Sequence, residues 1–335
     1  MTTSTSPTSS SFPILTEDPK SWIGQSLVSV TQITPKGFNL IITISQQMRN
    51  IVKNKGGGDE RLKHKLLATV FYEASTRTSC SFQAAIMRLG GKFIHVDGQG
   101  NSSAAKKKES LEDTIKCLEC YVDVVVLRHP ITGSVPNVGM ASVKPLLNAG
   151  DGIGEHPTQA LLDSFTIYDE LNNTPPSVVV FLGDLKHGRT VHSLAKLLVQ
   201  LRSGTDSVTG SDGGTSSDLV LRFCSPKSLE IPQSILDYCT SHNVKYECYT
   251  DLKEAVGTDA QVLYVTRIQK ERFNTPDEYN SVKVRKYTIA VFCFFAVLFL
   301  HVEFWLISRF FAPNACSLLF CFMFFFKLFR RVHIS

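Results

Sequence analysis

Four hydroxyl residues, Ser75, Thr76, Thr78 and Ser79, crowd around one guanidinium, Arg77, in the stretch Phe71–Ser81 (FYEASTRTSCS). The stretch before it, HKLLATVF over residues 64–71, is short and apolar and reads as a buried strand. After it, Phe82, Ile86 and Leu89 recur at helical spacing, and Gly90-Gly91 supplies a helix stop. The cluster therefore sits where a strand hands over to a helix. Such a place gathers unpaired backbone N–H groups, the positive end of the helix dipole, hydroxyls and a cation, and its natural guest is phosphate. The plainer alternative is an N-cap with spare hydroxyls.

Further candidates occupy equivalent positions. Arg128 closes the β-branched run Tyr121–Leu127, at the C-terminal end of a parallel strand, where such sheets bind ligands. His156 and Gln159 lie three apart at a helix start, with Pro157 at a favoured first-turn position, so both can face one cavity. Arg189 ends the turn Gly183-Asp184-Leu185-Lys186-His187-Gly188-Arg189, which follows the strand-like Ser177–Leu182. A dinucleotide reading of that turn fails for want of GxGxxG. Arg267 and Gln269 follow another apolar run, Gln261–Val265. Arginine at such turns suits bidentate pairing with a carboxylate.

These residues require a frame of alternating strands and helices. The pattern predicts helices over 39–52, 111–120, 160–171 and 232–241, with a short one at 252–255. It predicts further strands over 92–97, 145–151, 218–224 and 244–248. Such alternation implies α/β architecture: two doubly wound parallel-sheet domains joined by a bridging helix. The expected divisions are a disordered Ser/Thr-rich tail over 1–20, a first domain over 21–155 and a second over 156–287, with 156–171 as the bridge. Residues 203–218, rich in Gly, Ser, Thr and Asp, read as a surface insertion.

Composition narrows the function. A net charge of +5, with no basic run longer than Lys106-Lys107-Lys108, argues against nucleic acid and is compatible with small anionic substrates. Nine cysteines form no disulfide framework. Cys117 and Cys120 make a single CxxC without a second pair at zinc spacing, so buried structural cysteines in a helix are expected there, and no metal. The N-terminus lacks the basic and apolar regions of a secretory signal, and cytoplasmic location is expected.

On these motifs the chain resembles the transcarbamoylases. Ser-Thr-Arg-Thr at a helix start is similar to their carbamoyl phosphate loop, and HPTQxLLD to their carbamoyl-oxygen-binding segment. GDLKHGRTVHSL and TRIQKER resemble the two aspartate-side motifs of aspartate transcarbamoylases. The resemblance implies carbamoyl transfer from carbamoyl phosphate to L-aspartate, the committed step of pyrimidine biosynthesis, without cofactor or metal. Ser75, Thr76, Arg77, Thr78, Arg128, His156 and Gln159 would hold carbamoyl phosphate, and Arg189, Arg267 and Gln269 the aspartate. In the polar loop 98–110, Ser103 would join the first set and Lys107 the second, both reaching into a neighbouring subunit of a homotrimer with shared active sites. Arg77, Thr78, Lys107, Arg128 and His156 would be the catalytic group. The alternatives are ornithine as acceptor, against which Arg189 and TRIQKER argue, and a catalytically inactive, truncated relative.

The resemblance stops near Tyr287. More than half of the 22 phenylalanines fall in 288–335, and no His-Pro there continues as the Leu-Pro-Arg loop expected of the family. One reading is a membrane anchor over 288–308, interrupted by His301 and Glu303. The other, favoured here, is a foreign tail from a truncated or mis-spliced gene.

Overall fold

In the computed structural model, residues 12–54, 56–98, 109–203, 219–269, 273, 275, 277–279 and the backbone of 305–308 are described. The described residues form two compact units, dividing between Phe165 and Thr166.

The first unit is built on strands β1 (Leu66–Phe71), β2 (Lys92–Asp97), β3 (Val124–His129) and β4 (Leu146–Asp151), in the order β2-β1-β3-β4, all parallel. Helices α1 (Pro35–Asn54), α2 (Thr76–Arg88), α3 (Leu111–Glu119), α4 (Ser134–Ala141) and the first part of α5 (Pro157–Glu170) complete it. Both β3 and β4 are buried almost throughout, which is why β3 opens as the continuous apolar run Val124–Leu127, while β4 buries Asn148, whose Nδ2 donates to the Val28 carbonyl at 2.9 Å. One core face gathers Val70, Val125 and Leu127 against Ile115 of α3 and Val135 of α4. Arg49 of α1 lies over the Phe165 ring, 4.8 Å from its centre, and so fastens α1 to α5.

The second unit has strands β5 (Val178–Leu182), β6 (Val220–Cys224), β7 (Lys245–Tyr249), β8 (Val262–Val265) and β9 (Trp305–Ser308), in the order β7-β6-β5-β8-β9, again all parallel. Helices α6 (Arg189–Ser203), α7 (Gln233–Ser241) and α8 (Leu252–Val256) belong to it. The α/β class and the doubly wound parallel sheets expected from the sequence are therefore present.

In each sheet the strand order reverses at one point, between β1 and β3 in the first and between β5 and β8 in the second. Loops leaving the two strands at such a point diverge to opposite faces and open a crevice, the usual ligand position of open α/β sheets. The cluster around Arg77 follows β1, Arg128 lies at the end of β3, Arg189 follows β5, and Arg267 and Gln269 follow β8, while His156 and Gln159 follow the neighbouring β4.

Some boundaries differ from expectation. The strand expected from Tyr121 starts at Val124, because Tyr121 and Val122 still donate to the Leu118 carbonyl at the end of α3. Asp123 is then held by the Leu66 N–H at 2.9 Å and Lys65 Nζ at 3.1 Å. Cys117 and Cys120 are exposed, not buried, since the inward face of α3 is occupied by Thr114, Ile115 and Glu119. Among the described residues no cluster of metal-binding side chains occurs, and no helix is long and apolar enough to cross a membrane. Of the disordered tail expected over 1–20, residues 1–11 lie outside the described residues, whereas Leu15 is buried and bridges Ile33, and Pro19–Trp22 form a short 3-10 helix. Of the insertion expected over 203–218, Ser203 ends α6 and 204–218 lie outside the described residues, as do the tail residues 288–304 and 309–335.

The second unit carries an acid-sensitive ion network. Arg222 of β6 donates to Glu247 at 3.0 Å and to Asp259. Hydrogen bonds from Lys245, Tyr249 and Arg222 hold the Glu247 carboxyl down at about 2 against an ordinary 4.5, and Arg222 also lowers Asp259. A depressed carboxylate stabilises the fold fully above its unfolded pKa, and that contribution is lost as pH falls through the folded one. The denaturation midpoint should therefore fall between about pH 4.5 and 2. In Glu247→Gln the unfolding free energy at pH 7 should drop by ~1 kcal/mol and that acid slope should flatten. An unchanged slope would remove the network from the acid response.

Candidate active site

The first unit places an anion-ready helix start beside a buried arginine. β1 ends at Phe71, and Ser75 is the extended N-cap of α2 (φ −157°, ψ 94°). Its side chain makes no capping hydrogen bond, and no acidic residue occupies the first turn. The early N–H groups of a helix have no intrahelical acceptors, so this end presents donors and positive potential. Ser75 and Thr78 are half-buried, and Thr76 and Arg77 exposed. The turn is fixed from within: Ser81 Oγ donates to the Thr78 carbonyl at 2.8 Å, and Gln83 Nε2 donates to Ser79 Oγ at 2.9 Å.

Arg128 lies opposite Phe71 across the β1–β3 ladder, and the Tyr72 N–H donates to its carbonyl at 2.9 Å. The side chain is buried, and its Nη2 pairs with Glu73 at 3.1 Å. Next to it, His129 Nδ1 accepts from the Ile131 N–H at 3.2 Å, and burial lowers the imidazole pKa. Burial thus favours the neutral imidazole, and the permanent positive charge at this strand end is that of Arg128.

His156 is buried, with Nδ1 3.3 Å from Thr158 Oγ1. The loop before it is pinned by two carboxylates. Glu155 accepts from Ser29 Oγ at 2.9 Å and from the Val30 N–H at 3.0 Å. Asp151, its pKa raised by burial, accepts from the N–H groups of Gly133 and Val135 at the start of α4. Gln159 follows on the first turn of α5, and its Nε2 donates to Asp163 at 2.8 Å.

The second unit joins two loops around one carboxylate. Gly183 has φ +121°, and a Cβ there would run into the Thr266 carbonyl, so only glycine lets the exits of β5 and β8 approach so closely. Asp184 is fully buried and accepts from the His187 N–H at 3.0 Å and from the Gln269 N–H at 3.3 Å; its carboxylate also meets His187 Nδ1 at 3.1 Å. Gln269 Nε2 donates to the His187 carbonyl at 2.9 Å. Gln269, expected to help orient aspartate, therefore engages its amide nitrogen in tying the β8 loop to the β5 loop. Arg189 opens α6 and is buried, and Arg267 is exposed. Ser103 and Lys107 lie outside the described residues.

Three residues of this framework escaped the reading of the sequence: Glu73, Asp163 and Asp184. Each lies inside a quoted motif, and an acid within a set of anion-binding residues was itself the signal. It repels the guest unless it is engaged with a neighbouring donor. Replacing Asp184 by asparagine should turn an NH2 group towards the buried donors of His187 or Gln269. A loss of about 1–3 kcal/mol in unfolding free energy is expected, read as a lower denaturant midpoint. Unchanged stability would show that this carboxylate does not hold the two loops.

Comparison with known proteins agrees with these observations. Residues 25–169 match the family model described as aspartate/ornithine carbamoyltransferase, carbamoyl-P binding domain. The chain is 45% identical over 260 residues to the multifunctional protein pyr1-3 of Dictyostelium discoideum, covering 78% of this chain but only 11% of that protein. It is 40% identical over 258 residues to the aspartate carbamoyltransferase catalytic subunit of Thermoplasma volcanium, covering 77% of this chain and 78% of the relative. Among solved structures, the catalytic subunit of M. jannaschii aspartate transcarbamoylase superposes with a TM-score of 0.71 at 34% identity, over 90% of this chain and 96% of that one. Aspartate transcarbamoylase from Trypanosoma cruzi, in complex with carbamoyl aspartate and phosphate, gives a TM-score of 0.71 at 28% identity, over 95% and 98% of the two chains. Shared sequence over most of a catalytic subunit, together with the shared fold, assigns the chain to the aspartate carbamoyltransferase family.

Proposed function

We propose that this chain transfers the carbamoyl group of carbamoyl phosphate to the α-amino group of L-aspartate, as a step of pyrimidine biosynthesis. The observation that carries the reading is the anion-ready start of α2, with its uncapped N-terminus and hydroxyl cluster, set at the strand-order reversal next to the buried Arg128. Ser75, Thr76, Arg77 and Thr78 hold the phosphate. Arg128, Thr78 and His156 polarise the carbamoyl oxygen. In the second unit Arg189 and Arg267 take the two carboxylates of aspartate, while Gln269 and Asp184 hold the loops that carry them. The aspartate-binding relatives and the cationic character of these loops both favour aspartate over ornithine.

The neutral amine attacks the carbamoyl carbon. The new C–N bond forms, charge collects on the carbonyl oxygen, and the C–O bond to phosphate then breaks. The amine's proton leaves with the phosphate or passes to water. Donors fixed before the reaction around that oxygen are worth ~3–4 kcal/mol each. The remaining acceleration comes from holding the two substrates together. A homotrimer in the cytoplasm, with Ser103 and Lys107 of one subunit completing the site of its neighbour, belongs to the same reading through the family resemblance.

The test is transfer from labelled carbamoyl phosphate by the purified full chain, with aspartate and ornithine offered in parallel. Carbamoyl aspartate alone is the expected product. Transfer to ornithine would overturn the acceptor assignment, and folded protein that transfers to neither would overturn the activity.

A further inference from the structure

We propose that Asp163 sets the donor specificity of the first unit by fixing which end of the Gln159 amide faces the ligand. The inference rests on the reading that this unit binds an acyl phosphate. A glutamine amide has two ends of nearly equal size and opposite hydrogen-bonding character, so its neighbours decide which end points where. Gln159 has one decisive neighbour. Its Nε2 donates to Asp163 Oδ1 at 2.8 Å, and Asp163 is 4% exposed. A carboxylate only accepts, so it takes the NH2 end and rejects Oε1. The two residues are one helical turn apart on α5, so the pair is held by the helix itself. Oε1 is thereby turned away from Asp163.

That orientation matters because the other groups assigned to this ligand are donors: Arg77, Arg128, the hydroxyls and the first turn of α2. They suit oxygen atoms of a phosphate or a carbonyl; the hydroxyls can also accept, but assigned to the phosphate they do not reach the acyl substituent and do not distinguish one acyl phosphate from another. An outward Oε1 adds an acceptor. Carbamoyl phosphate carries an NH2 that can donate to it, whereas acetyl phosphate carries a methyl of the same size that cannot. Asp163 is thus a positioning residue acting through Gln159, and its effect falls on the choice between these two donors.

Binding of carbamoyl phosphate, acetyl phosphate and inorganic phosphate to the full chain, measured calorimetrically, tests this without relying on turnover. Wild type should bind carbamoyl phosphate at least tenfold more tightly than acetyl phosphate. Asp163→Asn can accept either end of the amide. It should lose about tenfold in carbamoyl phosphate affinity, with acetyl phosphate and phosphate unchanged. Gln159→Met should lose the same preference, and the double variant should lose no more than either single one. Should Asp163→Asn fail to fold, Asp163→Glu keeps the carboxylate but displaces it, and should shift the preference the same way by less. Equal loss for all three anions would make Asp163 merely structural and overturn the inference. So would a retained preference in the variants, or a wild type that binds phosphate but does not distinguish the two acyl phosphates. A wild type that binds none of them would overturn the anion-site reading itself, and the inference with it.

Discussion

Arg77→Ala should lower kcat for carbamoyl transfer to aspartate by about 10²–10³-fold, with a smaller effect on the KM for aspartate. Arg77 stands in the first turn of α2, next to an N-cap whose hydroxyl is not used on its own helix. The charge it offsets grows on the phosphate as the C–O bond breaks, so its stabilisation is greater in the transition state than in the ground state. Because the residue is exposed, the variant should keep its stability within about 0.5 kcal/mol. Thermal denaturation alongside steady-state kinetics would therefore separate a lost charge from a lost fold. Lysine at this position should recover only part of the rate, since a single ammonium cannot match a planar fork on two phosphate oxygens. Wild-type kcat in the alanine variant would remove the helix start from the phosphate assignment.

Arg189→Ala should raise the KM for aspartate by about 100-fold and leave the affinity for carbamoyl phosphate unchanged. Arg189 is the first residue of α6, and its N–H donates to the His187 carbonyl at 3.0 Å. The loop it leaves is gathered around Asp184, so the guanidinium starts from a backbone that the protein has already fixed. A fixed arginine loses little freedom on pairing with a carboxylate, which is why removing it should cost binding. Measuring KM for each substrate with the other saturating gives the answer. An effect confined to carbamoyl phosphate would place Arg189 on the wrong substrate.

Much of the frame was readable before any coordinates. The boundaries of β2 were read to the residue, because Lys92–Asp97 is bounded by the glycine pair before it and a polar loop after it. Helix α4 was not seen. Its N-cap is Gly133 in the left-handed region, without a side chain to mark a helix start, and the N–H groups of Gly133 and Val135 are satisfied by Asp151 at the end of β4. A cap supplied from 16 or 18 residues away leaves no local signature. The exposed Cys117 and Cys120 were misplaced for a similar reason. On α3 the buried face includes Thr114 and Glu119 as well as Ile115, so polarity alone does not mark it and only packing decides which side faces the sheet.

By itself the sequence determined the alternation of strands and helices, the helix-start chemistry around Arg77 and the arginines at strand ends, because each depends on residues close together in the chain. Tertiary structure decided which strand ends become neighbours, since strand order is a property of the whole sheet. It also decided what the acids within the motifs do. Glu73 meets Arg128 and Asp184 meets Gln269 across strands far apart in sequence; pairing with a buried arginine holds the half-buried Glu73, and full burial makes Asp184 a fixed partner rather than a solvated charge.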